Sequence, residues 1–367
     1  MIFGVKHICL FLCLFMLTSV FTQGMTQDGD SLETLIKEFY AFPSPTGYEY
    51  PLIEAIRKKL PGGLHVKQDN LGGLHASASN GSRFVLVTGV DEIGYIVGGI
   101  EESGFLTLDR AVASPFPLFD SFFPGHGVTI WTETGPVRGI LALPSTHILS
   151  REARRHLSDY FRLNNFLVDT GAESREDAEA AGVKYCDPVT PDKHLHNLGG
   201  RIWSGYGIGS RCCAVLLLQA VLAVPDDMLL NASFSWLVQT KFYARGSRPA
   251  KALGAVHAHE KTESTTILVI APYPKPADSD SMAGKGLLYT PGSASHLSSR
   301  ISAAAEAHGI SLRKAPEINS PVLNAYMQDY PSSALWLPVK YLHTPSESVF
   351  HSDLSALMKI IEELTAK

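Results

Sequence analysis

Apolar positions in this chain recur with a helical period, then a strand period, then both in alternation. Leu32, Leu35, Ile36 and Phe39 form a helical stripe that Pro43-Ser44-Pro45-Thr46-Gly47 stops. Leu52, Ile53, Ile56 and Leu60 repeat it between Tyr48 and Leu60, ahead of Pro61-Gly62-Gly63. Two short strands are expected at 64–68 and 74–77, joined by the turn Asp69-Asn70-Leu71-Gly72-Gly73. Phe84 to Gly89 carries no charge and reads as a buried central strand. It runs into Val90-Asp91-Glu92-Ile93-Gly94, which puts two carboxylates at the C-terminal edge of that strand. Open α/β sheets bind their ligands at this edge.

From Tyr95 to about Asp192 the texture changes. Stretches 95–100, 105–108, 128–133 and 137–143 read as strands broken by Gly and Pro, so residues 95–192 are expected to form a β-rich insertion. The α/β unit then comprises 28–94 and 193–367. Its second part is expected to hold a helix at 214–222, strands at 232–239, 252–256, 267–271 and 334–338, and helices at 296–308 and 354–366. The fold class is α/β with an inserted β domain.

With 367 residues, 45% hydrophobic and 18% charged, the chain has the composition of a folded globular protein of about two domains. A net charge of −5 gives no basic face and argues against nucleic acid as a partner. Residues 1–24 stand apart. Lys6 and His7 precede an apolar run from Ile8 to Phe21, and Thr22-Gln23-Gly24 follows. That order reads as a signal peptide for export, periplasmic or secreted, with a retained anchor as the alternative. Cys9 and Cys13 fall in it. Cys212 and Cys213 are expected as core thiols, with a disulfide from Cys186 to one of them left open.

Several stretches together carry a resemblance. They are Pro43 to Glu49, Asp69-Asn70-Leu71-Gly72, Asp91 to Val97, Glu102 to Leu106, Val168 to Glu176, Asp187-Pro188-Val189-Thr190, Arg245-Gly246 and Tyr341-Leu342-His343-Thr344-Pro345. Over nearly all of the chain after residue 24 the sequence resembles the tetrahedral/glutamyl aminopeptidases, metallopeptidase family forty-two. The resemblance implies an aminopeptidase-like α/β/α sandwich domain and a β-barrel-like dimerisation domain. It also implies a homo-oligomer built on a dimer, peptides as ligands, and a co-catalytic zinc or cobalt pair about 3.5–4 Å apart.

Residue by residue, most of that site does not carry over. Gly89 stands where the resemblance puts a histidine ligand, two residues before the orienting Asp91. The segment for the bridging carboxylate aligns to Ile208-Gly209-Ser210. The general base and a second-metal ligand become Thr240 and Lys241, a further ligand becomes His257, and a late motif falls at Glu317-Ile318-Asn319-Ser320. Catalytic residues are therefore none. The residual pocket is Asp91, Glu92, His257, His343 and Glu347. A hydroxyl at 240 is no neutral-pH base, and an ammonium at 241 opposes a cation. The expectation is a non-catalytic exported homologue with a binding or assembly role and no cofactor. The alternative is a divergent aminopeptidase with one zinc held by His257, His259 and His343 with Asp91 or Glu260.

Weaker motifs point elsewhere. Gly205-Tyr206-Gly207-Ile208-Gly209 precedes a helix in the manner of a phosphate loop, although small residues filling space near the cleft explain it as well. Ser210, Asp91 and His343 invite a serine-hydrolase reading without a nucleophile elbow. Cys212 inside a helix is expected to be inert. His194 and His196 are expected to face solvent. Asn80-Gly81-Ser82 and Asn231-Ala232-Ser233 match the glycosylation pattern.

Overall fold

Phe84–Gly89 is central because its side chains are apolar on both faces. In the computed structural model Phe84 and Leu86 pack into one core and Val85 and Val87 into another. The structure describes residues 31–77, 84–143, 145–223, 232–242, 250–259, 266–275, 280–315 and 320–365. The N-terminal apolar segment, Asn80, Asn231, Arg245-Gly246, Glu260 and Glu317–Asn319 lie outside them.

Helices α1 (Leu32–Tyr40) and α2 (Tyr50–Lys59) lead into strands β1 (His65–Gln68), β2 (Leu74–Ser77) and β3 (Phe84–Gly89). The chain departs through β4 (Tyr95–Ile100), β5 (Leu106–Arg110), β6 (Gly127–Thr132), β7 (Gly135–Ala142), β8 (Leu167–Asp169), α3 (Arg175–Ala180) and β9 (Pro188–Pro191). It returns by β10 (His196–Leu198) and β11 (Ile202–Ser204) to α4 (Ile208–Leu222), β12 (Ala232–Leu237), α5 (Leu253–His259) and β13 (Ile267–Pro272). β14 (Leu287–Thr290), α6 (Ser295–Ala307), β15 (Leu312–Lys314), α7 (Pro321–Tyr326), β16 (Ser332–Leu337), β17 (Ser348–Phe350) and α8 (His351–Thr365) complete it.

Eight strands form one sheet in the order β1-β2-β12-β3-β13-β16-β14-β15. Its centre, β12-β3-β13-β16, is parallel, so four strands end at the same edge. Helix α4 is buried on nearly every side and apolar but for Ser210, Arg211 and Gln219. It lies between the sheet and helices α1 and α8. Helices α5 and α7 cover the other face, completing three layers. Strands β4-β5-β8-β7-β6-β9 close a six-stranded barrel around Tyr95, Val97, Leu106, Val128, Ile130, Leu141 and Val168. Two of its strands, β8 and β9, are too short to stand out in the sequence pattern.

One expected strand is a helix. Residues 252–256 fall in and just before α5, where Ala252, Ala255 and Ala258 are buried at a spacing of three. A Cβ on Gly254 would come within 1.7 Å of the Val238 carbonyl oxygen, so the helix seats directly on the chain leaving β12. The cysteine question also closes, since Cys186, Cys212 and Cys213 are free, the first exposed and the other two buried.

Candidate functional site

The parallel strands deliver their loops to one edge. Asp91 and Glu92 follow β3, Gln239-Thr240-Lys241 follows β12, and His343 and Glu347 lie in the loop between β16 and β17. The glycine-rich turn into α4 supplies Gly207, Gly209 and Ser210. Together Glu92, Ile93, Tyr206, Gly207, Ser210, Lys241, His343 and Glu347 line a cleft of only about 10 Å³, no more than a single water's room.

Asp91 is fully buried and accepts three hydrogen bonds. Thr46 Oγ1 donates to its Oδ2 at 2.8 Å, the Lys241 amide to the same oxygen at 3.0 Å, and the Thr240 hydroxyl to Oδ1. Beside it Glu49 accepts from the Gln239 amide at 2.8 Å and the Gly47 amide at 3.0 Å. Burial, with the charge of Asp91, pushes the Glu49 carboxyl up to about 7. Glu49 thereby pins Gln239, which adopts a left-handed backbone with φ of +50°, and so fixes where Thr240 and Lys241 point.

Glu92 is held differently. Its Oε2 pairs with the Lys193 ammonium and lies 3.8 Å from the Arg211 guanidinium. Arg211 is 1% exposed and donates to the Phe39 and Phe42 carbonyls and to Ser44 Oγ. Glu347 accepts from the His343 amide at 2.8 Å and the Gly209 amide at 3.1 Å. Burial pushes its carboxyl up to about 7 against the pull of these amides and of Lys241 and Lys193. His343 is partly buried with a left-handed φ of +65°. Burial and the Lys241 charge push its imidazole down to about 3, so it is neutral at pH 7.

These contacts test the expected metal. A dication needs free carboxylate or imidazole lone pairs. Here Asp91 faces three donors, Glu92 an ammonium and Glu347 two amides, and Lys241 lines the cleft itself. Among the described residues no group of three His, Cys, Asp or Glu side chains is placed to hold a metal ion. The expected ligands His257 and His259 both fall on α5. Among the described residues His257 Nε2 is buried without a partner, and His257 is absent from the cleft lining. The residues present do not fit the metal pair.

The remaining motifs resolve the same way. Gly207 has a φ of +71°, and a Cβ there would meet Glu92 Oε2 at 2.6 Å. A Cβ on Gly209 would meet Val339 Cγ2 at 2.8 Å. The glycine turn is thus packed against a carboxylate, which excludes a phosphate there. Ser210 and His343 share the cleft, and no hydrogen bond joins them among the described residues. His194 and His196 face solvent as expected. Lys193, Tyr206, Thr46 and Glu49 carry much of the site's chemistry. Lys193 sits in a loop with no periodic pattern, whereas Thr46 and Glu49 lie in the motif that ends α1.

The M42 glutamyl aminopeptidase family model matches residues 70–360. FrvX of Escherichia coli K12 is 28% identical over 158 residues, 42% of either chain. The lysyl aminopeptidase of Pyrococcus furiosus is 26% identical over 224 residues, 59% of this chain and 61% of that one. These matches span between 42% and 61% of the length of the curated relatives. In structure, the Pyrococcus horikoshii TET1 peptidase, which can assemble into a tetrahedron or a large octahedral shell, superposes with a TM-score of 0.76 at 25% identity. That superposition covers 92% of this chain and all of that one. The chain belongs to the M42 glutamyl aminopeptidase family.

Proposed function

We propose that this protein is a non-catalytic member of its family, retained for binding or assembly. One observation carries the reading. Asp91 is engaged by Thr46, Thr240 and Lys241, and Lys241 lines the cleft where the family's chemistry would need a cation. Glu92 is engaged by the Lys193 ammonium, and Glu347 by two backbone amides. The cleft of about 10 Å³ does not admit a peptide bond as it stands. Peptides are the ligand class the family membership favours. The relatives that assemble support a homo-oligomer, which we read as built on a dimer. The N-terminal apolar segment supports export, which the mass of protein recovered outside the cytoplasm would test through a start near Met25.

The decisive assay incubates purified protein with aminoacyl-nitroanilides and added zinc, cobalt or manganese. No turnover above buffer, with a defined oligomer by light scattering, is the expected result. Chelator-sensitive turnover would overturn the reading and favour a divergent aminopeptidase with a rebuilt site.

A further inference from the structure

The two covalent crossings between sheet and barrel meet at one buried ion pair. Glu92 lies on the outgoing crossing, just before β4, and Lys193 on the returning one, just after β9. The Lys193 side chain is 7% exposed and Glu92 3%. The ammonium sits 5.1 Å from the ring centroid of Tyr40 and 5.7 Å from that of Tyr206, and 3.4 Å from the Tyr206 carbonyl oxygen. The cage is itself braced. Tyr40 Oη donates to the Tyr206 carbonyl at 3.1 Å, and Tyr206 Oη donates to the Ile93 carbonyl. The Tyr206 ring also packs edge-on against Phe123 of the barrel, 5.6 Å between centroids.

Two aromatic faces, a carboxylate and a carbonyl are the elements that recognise an organic ammonium ion. We propose that Tyr40, Tyr206 and Glu92 form a binding site for a primary alkylammonium. The chain fills it with its own Lys193, an internal ligand that fastens the barrel to the sheet. The chemistry selects a primary amine on a short alkyl stem. The stem lies among the tyrosine rings, and three N–H donors can serve Glu92 Oε2 and the Tyr206 carbonyl. The cage works the same whether or not the cleft turns over peptides.

Lys193→Ala in the full chain removes three methylenes and the ammonium, the outline of propylammonium. The expected result is a lower melting temperature that propylammonium restores in a dose-dependent way, with n-propanol and sodium inactive and the wild type unmoved. Adding Glu92→Gln to the variant should abolish the rescue. Three outcomes would overturn the proposal. They are equal shifts of variant and wild type, rescue by zinc but not by the amine, and a Lys193→Met variant as stable as the wild type. If Lys193→Ala does not fold alone, refolding yield with and without propylammonium gives the same readout, and an unchanged yield counts against the cage.

Discussion

Thr240 occupies the space that any side chain at position 89 would need. A Cβ built on Gly89 would lie 2.6 Å from Thr240 Oγ1 and 2.9 Å from its Cγ2. The same hydroxyl donates to Asp91, so a side chain at 89 would both collide with Thr240 and displace it from a buried carboxylate. Gly89→Ala is expected to cost about 1–3 kcal/mol, the usual range for overpacking. Thr240→Ala removes the two nearest atoms. The double variant should therefore be more stable than the sum of the single costs predicts, with a coupling on the order of 1 kcal/mol in a denaturant-melt cycle. Strict additivity would mean that the two positions do not contend for the same space. By the same contact, Gly89→His alone should not create zinc affinity by calorimetry.

Asp91 is the carboxylate that the surrounding backbone is built to serve. Asp91→Asn keeps the shape but sets an amide N–H₂ against a donor, since Thr46, Thr240 and Lys241 all donate to this side chain. A loss of about 1–3 kcal/mol is expected in chemical denaturation, the penalty for a buried donor left unmatched. Removing the Asp91 charge should also let the Glu49 carboxyl titrate lower than about 7, because that charge helps to raise it. A carboxyl-carbon NMR titration of Glu49 that does not move would sever the link between the two residues.

What the sequence discloses follows from how each feature is encoded. β3 was legible because burial on both faces leaves an unbroken apolar run. The gathering of Asp91, Glu92, His343 and Glu347 was legible because parallel strands send their C-terminal loops to one edge. Residues 252–256 read as a strand in sequence and fold as a helix because a short apolar run suits either equally. The deciding contact, Gly254 against the Val238 carbonyl, is not local. Lys193 was silent for a related reason. Its partner Glu92 lies 101 positions earlier and its cage comes from Tyr40 and Tyr206, so nothing near residue 193 marks it as buried.

The thiols should separate cleanly. Cys186 is exposed, whereas Cys212 and Cys213 are wholly buried in α4, and burial pushes both of those thiols far up from the ordinary range. Thiolate is the reactive form, so these two should resist alkylation in the native protein. Iodoacetamide followed by peptide mapping should find label at Cys186 and none at 212 or 213 until denaturant is added. Native-state labelling at Cys212 would show that α4 opens far more readily than its packing implies.

The contributions of Glu49 and Glu347 to stability should fall as pH rises from about 4.5 to about 7. They are opposed below about 6.5 by His343, which stays neutral when folded while the unfolded imidazole takes a proton. Glu49 and Glu347 both have the ordinary value of 4.5 when unfolded and about 7 when folded. Between those values these two sites bind more protons in the folded state than in the unfolded one, so through them raising pH favours unfolding. Their contribution is fully present below about pH 4.5 and lost as pH passes about 7. Both are desolvated carboxylates, and the amide bonds to Glu347 from His343 and Gly209 only partly offset that burial. Glu347→Gln keeps the size and stays neutral throughout, so the variant's melting temperature should decline less steeply across this window. Glu49→Gln should act in the same direction, because it removes both the buried carboxylate and its repulsion with Asp91 at higher pH. A slope in both variants equal to that of the wild type would place the titrating groups elsewhere in the molecule.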